Sequence, residues 1–330
     1  MRFSGILAGM QLINNFSKFF IFVVLSCSLL FILRSNNLDI TASNFANHDL
    51  GEMIASDNSN NSIWSSISDQ FQLDHKTQNA AVQAEIRGLL ADQQKLYQIL
   101  QAAAPYIYFI HQKAQEKGLP GELALIPVIE SEFNPNDHST KGATGLWQLM
   151  SRTAHELGVN VKSGYDGRRN VVSSTNAALA YFKDLGHDFK GDWYLAIAAY
   201  NCGQVRIASA VKKTGSHNFW DLPLPHETRC YVPKLLAVAA IIANPGKYGV
   251  QLPPITNKPY FTQIKVASPV NLSKLATVSG VSIDTLRVLN PDYNHGNVPK
   301  SKEGAYAFLV PVNEAPGIRN QLQKTNKIVV

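Results

Sequence analysis

Leu123-Ala-Leu-Ile-Pro-Val-Ile-Glu130-Ser-Glu132-Phe133 is the stretch on which the reading of this chain turns. Seven apolar residues run straight into a carboxylate. A carboxyl group set against apolar surface resists ionisation, so its pKa rises. That is what a general acid working near neutral pH requires. A solvated glutamate at a helix end is the competing reading of this segment taken alone. The next segment bears on the choice. Ser139-Thr-Lys-Gly142-Ala-Thr-Gly145-Leu-Trp-Gln148-Leu-Met150 begins with small residues that permit close backbone approach, then turns helical. A flexible turn with serine and glutamine donors beside a desolvated glutamate suits a polyhydroxylated ligand. Glu132, two residues beyond Glu130, points well away from it on a helix and reads as structural or rim.

Outward from this centre the chain reads as helices. Ile86, Leu89, Leu90, Leu96, Ile99 and Leu100 carry a helical spacing over 77–103, with a break at Asp92. Pro105 opens a helix that stops at Gly118. Ser174 is the expected cap of a helix ending at Gly186, and Asp192 caps Trp193–Tyr200, apolar all round and therefore central. A long apolar helix runs from Glu227 to Ala243. No alternating strand pattern of any length occurs from 77 to 250. The expected fold class is mainly α: an all-α domain over 73–252, a normal size for one core.

The chain has 330 residues, 45% of them apolar, which excludes wholesale disorder. Its charge of 30 − 24 = +6 comes without Arg/Lys runs, so no nucleic-acid partner is expected. Arg2, Lys18 and Arg34 fall in the first 34 residues, which hold no acid, leaving 27 − 24 = +3 on the remainder. Between Lys18 and Arg34 lie the fifteen mostly apolar residues Phe19–Leu33, short for a membrane span of roughly 20 residues. Residues 1–34 therefore read as a cleaved export signal, a retained anchor or, through Cys27 after Val24-Leu25-Ser26, a lipid-attachment box. All three place the rest outside the cytoplasm, in the cell envelope or periplasm. Residues 35–72 read as a linker, with 18 Ser, Asn or Asp in the 34 positions 35–68.

Past Pro253-Pro254 and Pro259 the pattern changes. Phe261–Val266 alternates as a strand, Asn271 and Ser282 cap two short helices ending at Gly280 and Asn290, and Tyr306–Pro311 is a second strand. Residues 260–312 are thus a small α+β unit of β-α-α-β order, and 313–330 a short polar tail.

Four ordered segments carry a family resemblance. Ile129-Glu-Ser-Glu-Phe-Asn-Pro135, Ser139–Met150, Ala198-Ala-Tyr200-Asn201 and Glu227-Thr-Arg-Cys-Tyr231-Val-Pro233 resemble the soluble lytic transglycosylases, whose catalytic domain is lysozyme-like of the goose type. With Tyr165-Asp-Gly-Arg-Arg-Asn170 and Phe219-Trp-Asp-Leu-Pro-Leu-Pro225, the pattern is most similar to the membrane-bound murein transglycosylase D subgroup. It covers about residues 95–252. The 260–312 unit resembles a LysM module, with Ala-Ser-Pro where a Gly-Asp turn is usual, so glycan binding and a docked accessory role both stay open.

The resemblance implies a monomer acting on peptidoglycan glycan strands between N-acetylmuramic acid and N-acetylglucosamine, with no cofactor and no metal. Glu130 is then the single acid/base: it protonates the leaving oxygen, then deprotonates the C6 hydroxyl that attacks C1 to give a 1,6-anhydro product. Carried over, Ser139, Gly145, Gln148 and Met150 line the subsites, Tyr200 and Asn201 place a hydroxyl and an amide near Glu130, and Glu227 and Tyr231 complete the cleft. Each of these has a plain structural reading too, Tyr200 and Met150 as core above all. Cys202 and Cys230 depart from the family pattern, and because both motifs converge on one cleft a Cys202–Cys230 disulfide is expected in an exported protein. A hydrolytic muramidase and a non-catalytic wall-binding protein are the rival functions. The first lacks an evident second carboxylate, and the second has no use for a desolvated acid. His155-Glu156 lacks the second histidine of a zinc site, and no Gly-x-Ser-x-Gly elbow occurs.

Overall fold

The computed structural model describes residues 61–324, apart from 163, 267–268, 294–296 and 298–305. The expected leader, Cys27 and the tether up to residue 60 lie outside the described residues. No helix among the described residues is long and apolar enough to cross a membrane.

The helical unit opens with α1 (Ile63–Ser68), α2 (Ala80–Ala91), α3 (Gln93–Ala102) and α4 (Ile107–Glu116). Asp92 breaks the 77–103 pattern as expected, because its side chain accepts from Lys95 N at 2.9 Å and so starts α3 afresh. A 3-10 turn, Gly121–Leu125, leads into α5 (Ile126–Glu130), and α6 (Ser151–Glu156) follows the glycine loop. Two two-residue strands, β1 (Val161–Lys162) and β2 (Tyr165–Asp166), form a small antiparallel ribbon absent from the sequence reading. Its strands are too short for periodicity to register. The rest of the unit is α7 (Val171–Asp188), α8 (Trp193–Cys202), α9 (Gln204–Thr214) and α10 (His226–Ala243).

Helix α8 is central as its composition requires: Leu195–Ala199 are all buried, and α7, α9 and α10 pack around it. Helix α7 departs from expectation at both ends. Asn170, not Ser174, is its cap, accepting from Ser173 N at 2.9 Å. The helix also runs through Gly186, where a Cβ would lie 2.6 Å from the Trp193 ring. This glycine makes room for α8 and does not stop α7.

The linker expected over 35–72 is corrected at its C-terminal end. Residues 61–72 belong to the helical unit, with Ile63, Trp64 and Ile67 buried on one face of α1. Trp64 Nε1 donates to Pro253 O at 2.8 Å, and Ile63 N donates to Ile255 O at 2.9 Å. Glu122, fully buried, accepts from Gln72 N and Leu73 N at 3.0 and 2.9 Å. Composition hid this segment because three well-spaced apolar side chains do the anchoring among many Ser and Asn.

The C-terminal unit has the expected β-α-α-β order. β3 (Phe261–Val266) pairs antiparallel with β4 (Tyr306–Pro311), and α11 (Leu272–Ser279) and α12 (Ile283–Leu289) lie between them. The expected polar tail is instead helix α13 (Ala315–Lys324), whose Ala315, Ile318 and Leu322 are buried against this unit. Pro316-Gly317 at its start masked that spacing. Leu289 and Leu309 join the large helical core, so the two units share apolar packing.

Trp64→Ala is expected to destabilise the folded chain by ~3–5 kcal/mol, read from urea unfolding. A loss under 1 kcal/mol would mean that α1 is not part of the core.

Candidate active site

The site begins where α5 ends. Ser131 leaves the helix at φ −138°, and Glu132 and Phe133 take left-handed φ of 52° and 58°. Two such residues in sequence cost of order 1–3 kcal/mol each and persist only where their surroundings impose them. Here Phe133 is driven into the core at 1% exposure, and Glu132 swings out to Lys95 Nζ at 3.0 Å. Ser131 Oγ donates to Leu146 O at 2.9 Å, tying the helix end to the glycine loop. The rim reading of Glu132 is therefore met by a turn, not by continued helix.

Glu130 is left at the end of the apolar run, partly buried. Its Oε1 accepts from Tyr231 Oη of α10 at 2.5 Å. Burial pushes its carboxyl up to about 7, opposed by the Tyr231 hydrogen bond and reinforced by the charge of Glu227. The desolvated reading of Glu130 stands over the solvated one. Tyr231 is itself buried, and desolvation, then the Glu130 charge, holds its phenol well above the ordinary range.

The glycine loop folds as a tight double turn. Ser139 Oγ accepts from Ala143 N at 3.0 Å, so its hydroxyl holds the turn. Gly145, at φ +85°, sits on the Arg168 carbonyl, where a Cβ would come within 2.1 Å of the oxygen. Gln148 has a left-handed φ of 46°, and its Nε2 donates to Gly145 O at 2.9 Å. Met150 is 44% exposed at the start of α6, which corrects its reading as core.

Tyr200 Oη donates to Trp147 O at 2.7 Å, and its ring stacks on Phe182 at 4.3 Å. Its hydroxyl therefore props the loop, and burial followed by the Glu130 charge raises its pKa well above the usual phenol value. Asn201 Oδ1 accepts from Thr228 Oγ1 at 2.8 Å, joining α8 to α10. Glu227, exposed in the first turn of α10, reaches Lys141 Nζ of the loop at 3.5 Å. Glu130 and Tyr231 thus meet directly, Tyr200 and Glu227 interact with the Glu130 charge, and Ser139, Gln148 and Asn201 have their polar atoms in hydrogen bonds of their own.

The expected Cys202–Cys230 disulfide is corrected: both cysteines are free. Cys202 neighbours Thr228, whereas Cys230 Sγ lies 3.8 Å from His226 Nε2. Thr228 and Cys230 are two residues apart on α10 and so about 200° apart around it, which puts the two sulfurs on different flanks. Arg168 carries no signal in the sequence beyond its place in Tyr165–Asn170. It is 7% exposed, is held by Asp166 at 2.8 Å, and donates through Nη1 to Gly142 O at 2.8 Å.

Comparison with known proteins assigns the two parts of the chain to known domains. The Transglycosylase SLT domain matches residues 107–223, and the LysM-like domain of lytic transglycosylase MltD matches 260–327. A candidate tributyltin chloride resistance protein of Alteromonas sp. (strain M-1) is 37% identical over 173 residues, 52% of this chain and 82% of that protein. Membrane-bound lytic murein transglycosylase D of Escherichia coli (strain K12) is 34% identical over 278 residues, 83% of this chain and 60% of that protein. The chain belongs to the SLT lytic transglycosylase family. It spans 60% of the length of its E. coli relative. A solved lytic transglycosylase Slt from Pseudomonas aeruginosa aligns at a TM-score of 0.37 and 25% identity over 58% of this chain and 33% of that one, too loosely to add to the family assignment. Tyr231, the hydrogen-bond partner of Glu130, lies beyond the stretch that the SLT domain matches.

A raised carboxyl pKa sets the sign of a stability effect. The Glu130 contribution to stability is fully present below about 4.5 and is lost as pH rises through about 7. Glu130→Gln is accordingly expected to stabilise the fold at pH 8 by roughly 1–3 kcal/mol, with the gap closing at pH 4. Scanning calorimetry at both pH values checks this; equal midpoints for the two proteins at pH 8 would contradict the desolvation.

Proposed function

We propose that this chain is a peptidoglycan lytic transglycosylase acting through Glu130 alone. The observation that carries the reading is a carboxyl poised to be protonated near neutral pH, held in one orientation by Tyr231 Oη. A group with a pKa near the working pH can give a proton and take one back within a single turnover. Glu130 protonates the glycosidic oxygen between N-acetylmuramic acid and N-acetylglucosamine, and the C1–O bond breaks as positive charge develops at the sugar ring. The carboxylate then removes the proton of the muramic acid C6 hydroxyl, whose oxygen bonds to C1 and closes the 1,6-anhydro ring. Intramolecular attack has a high effective concentration, so no bound water nucleophile is needed.

Two-carboxylate glycosidases need a partner placed across the bond. Glu227 raises the Glu130 pKa, but it is exposed at the cleft edge and paired with Lys141, an arrangement that favours the single-acid reading over the hydrolytic one. In this proposal the loop residues Ser139, Gly145, Gln148 and Met150 present the sugar, Tyr200 and Asn201 fix the walls, and Tyr231 orients the acid. The helical unit carries the reaction and the LysM-like unit is an accessory. The work is done in the cell envelope, outside the cytoplasm, with residues 1–34 directing export or anchoring.

Mass spectrometry of digested sacculi tests the chemistry: anhydro-muropeptides are expected, and reducing ends would instead mark a hydrolase. Glu130→Gln is expected to lower turnover at least ~100-fold. Tyr231→Phe removes the hydrogen bond that favours the ionised carboxyl, so the alkaline limb of the kcat profile should move to higher pH while kcat falls. An unmoved limb would mean that Tyr231 does not set the acid.

A further inference from the structure

The LysM-like unit meets the 165–170 segment, which carries Arg168, through one buried residue. Asp292, just after α12, is fully buried. Its Oδ2 accepts from Asn170 Nδ2 at 2.8 Å, and its backbone carbonyl accepts from Asp166 N at 3.3 Å. The next residue, Tyr293, bridges to Tyr165 of β2, with ring centroids 5.9 Å apart. Desolvation pushes the Asp292 carboxyl up to about 7.

From the same ribbon, Arg168 turns the other way. Its Nε and Nη2 grip the Asp166 carboxylate at 2.9 and 2.8 Å. Its Nη1 donates to Gly142 O at 2.8 Å and to Leu149 O at 3.2 Å, the two carbonyls that bracket the glycine loop. Gly145 rests on the Arg168 carbonyl, and Trp147 O within the loop receives the Tyr200 hydroxyl. Hydrogen bonds therefore run from the Asp292 backbone carbonyl through Asp166 and Arg168 to Gly142 O and Leu149 O, while the Asp292 carboxyl holds Asn170 at the end of the same segment.

Burying a carboxyl is unfavourable and requires hydrogen bonding. Attachment of the C-terminal unit does not need it, since Phe261 already packs on Phe109 at 5.4 Å and Tyr106 Oη donates to Val288 O at 3.1 Å. The group is placed where it fixes the ribbon.

We propose that Asp292 is a positioning residue for the active site: from the LysM-like unit it pins the 165–170 ribbon, which keeps Arg168 seated on Gly142 and Leu149 and so holds the glycine loop in its working shape. Only the last clause rests on the proposed activity; the mechanical part stands without it.

The full-length chain is compared with Asp292→Ala and Asp292→Asn by hydrogen–deuterium exchange, read separately for residues 142–149 and for 235–242 of α10. Asp292→Ala is expected to speed exchange in the loop about tenfold, the effect of losing one buried hydrogen bond, and to leave α10 unchanged. Asp292→Asn keeps an oxygen able to accept from Asn170 and should restore the slow exchange. Digestion of sacculi should fall with the alanine variant and recover with the asparagine one. If Asp292→Ala fails to fold, Asn170→Ser, which keeps a capping oxygen for α7 but removes the donor to Asp292, must give the same local rise. The proposal is overturned by an unchanged loop in the folded variants, by a rise spread evenly into α10, or by equal loss in both Asp292 variants. Faster loop exchange with undiminished digestion overturns the active-site role. A wild-type chain inert on sacculi counts against the proposed function alone, because exchange is read without substrate.

Discussion

The hydrogen bond from Tyr231 Oη to Glu130 Oε1 joins two elements that are 101 residues apart in sequence. Much of the surrounding structure is arranged so that this contact exists in a desolvated place. Helix α5 is only five residues long and stops at Glu130, because Ser131 is tied to Leu146 and two left-handed residues follow. Helix α10 brings Tyr231 to it on a face that also carries Thr228, and both are buried. The apolar run before Glu130 supplies the low-polarity surroundings that hold the carboxyl near neutrality.

Around that contact the loop 139–150 is rigid despite its glycines. Its backbone bonds to itself, its carbonyls are taken by Arg168, Tyr200 and Ser131, and its Gly145 leaves no space for a side chain. A loop bonded in this way is pre-ordered, so less conformational entropy would remain to be lost on binding a ligand. The flexible turn read from composition is better described as a close-packed one. Glycine serves proximity there as much as freedom.

The C-terminal unit shares this logic. Its strands and helices form a small core of their own, while Leu289 and Leu309 are packed in the helical core. With Asp292 buried against Asn170, it is docked on the helical unit and not a freely tethered module. Residues 61–72 clasp the far end of the helical unit, through Trp64 on Pro253 and Ile63 on Ile255.

The amino-acid order alone determined the all-α character of the middle of the chain, the central place of α8, the β-α-α-β order near the C-terminus and the identity of Glu130 as the residue of interest. These are written in local signals: helical spacing, caps, strand alternation and an apolar run ending in a carboxylate. Tertiary structure alone decided the rest, because it depends on contacts between distant residues. Arg168 looked like one of two adjacent arginines until its fork was found between Asp166 and the loop carbonyls. Cys202 and Cys230 share a neighbourhood in the motifs, yet Cys202 ends α8 beside Thr228 while Cys230 lies on the His226 flank of α10. Tyr200 and Asn201 followed the family pattern, yet their polar atoms are bound to Trp147 and Thr228. Side-chain direction is set by helix phase and by which helices meet, and neither is recorded in spacing along the chain.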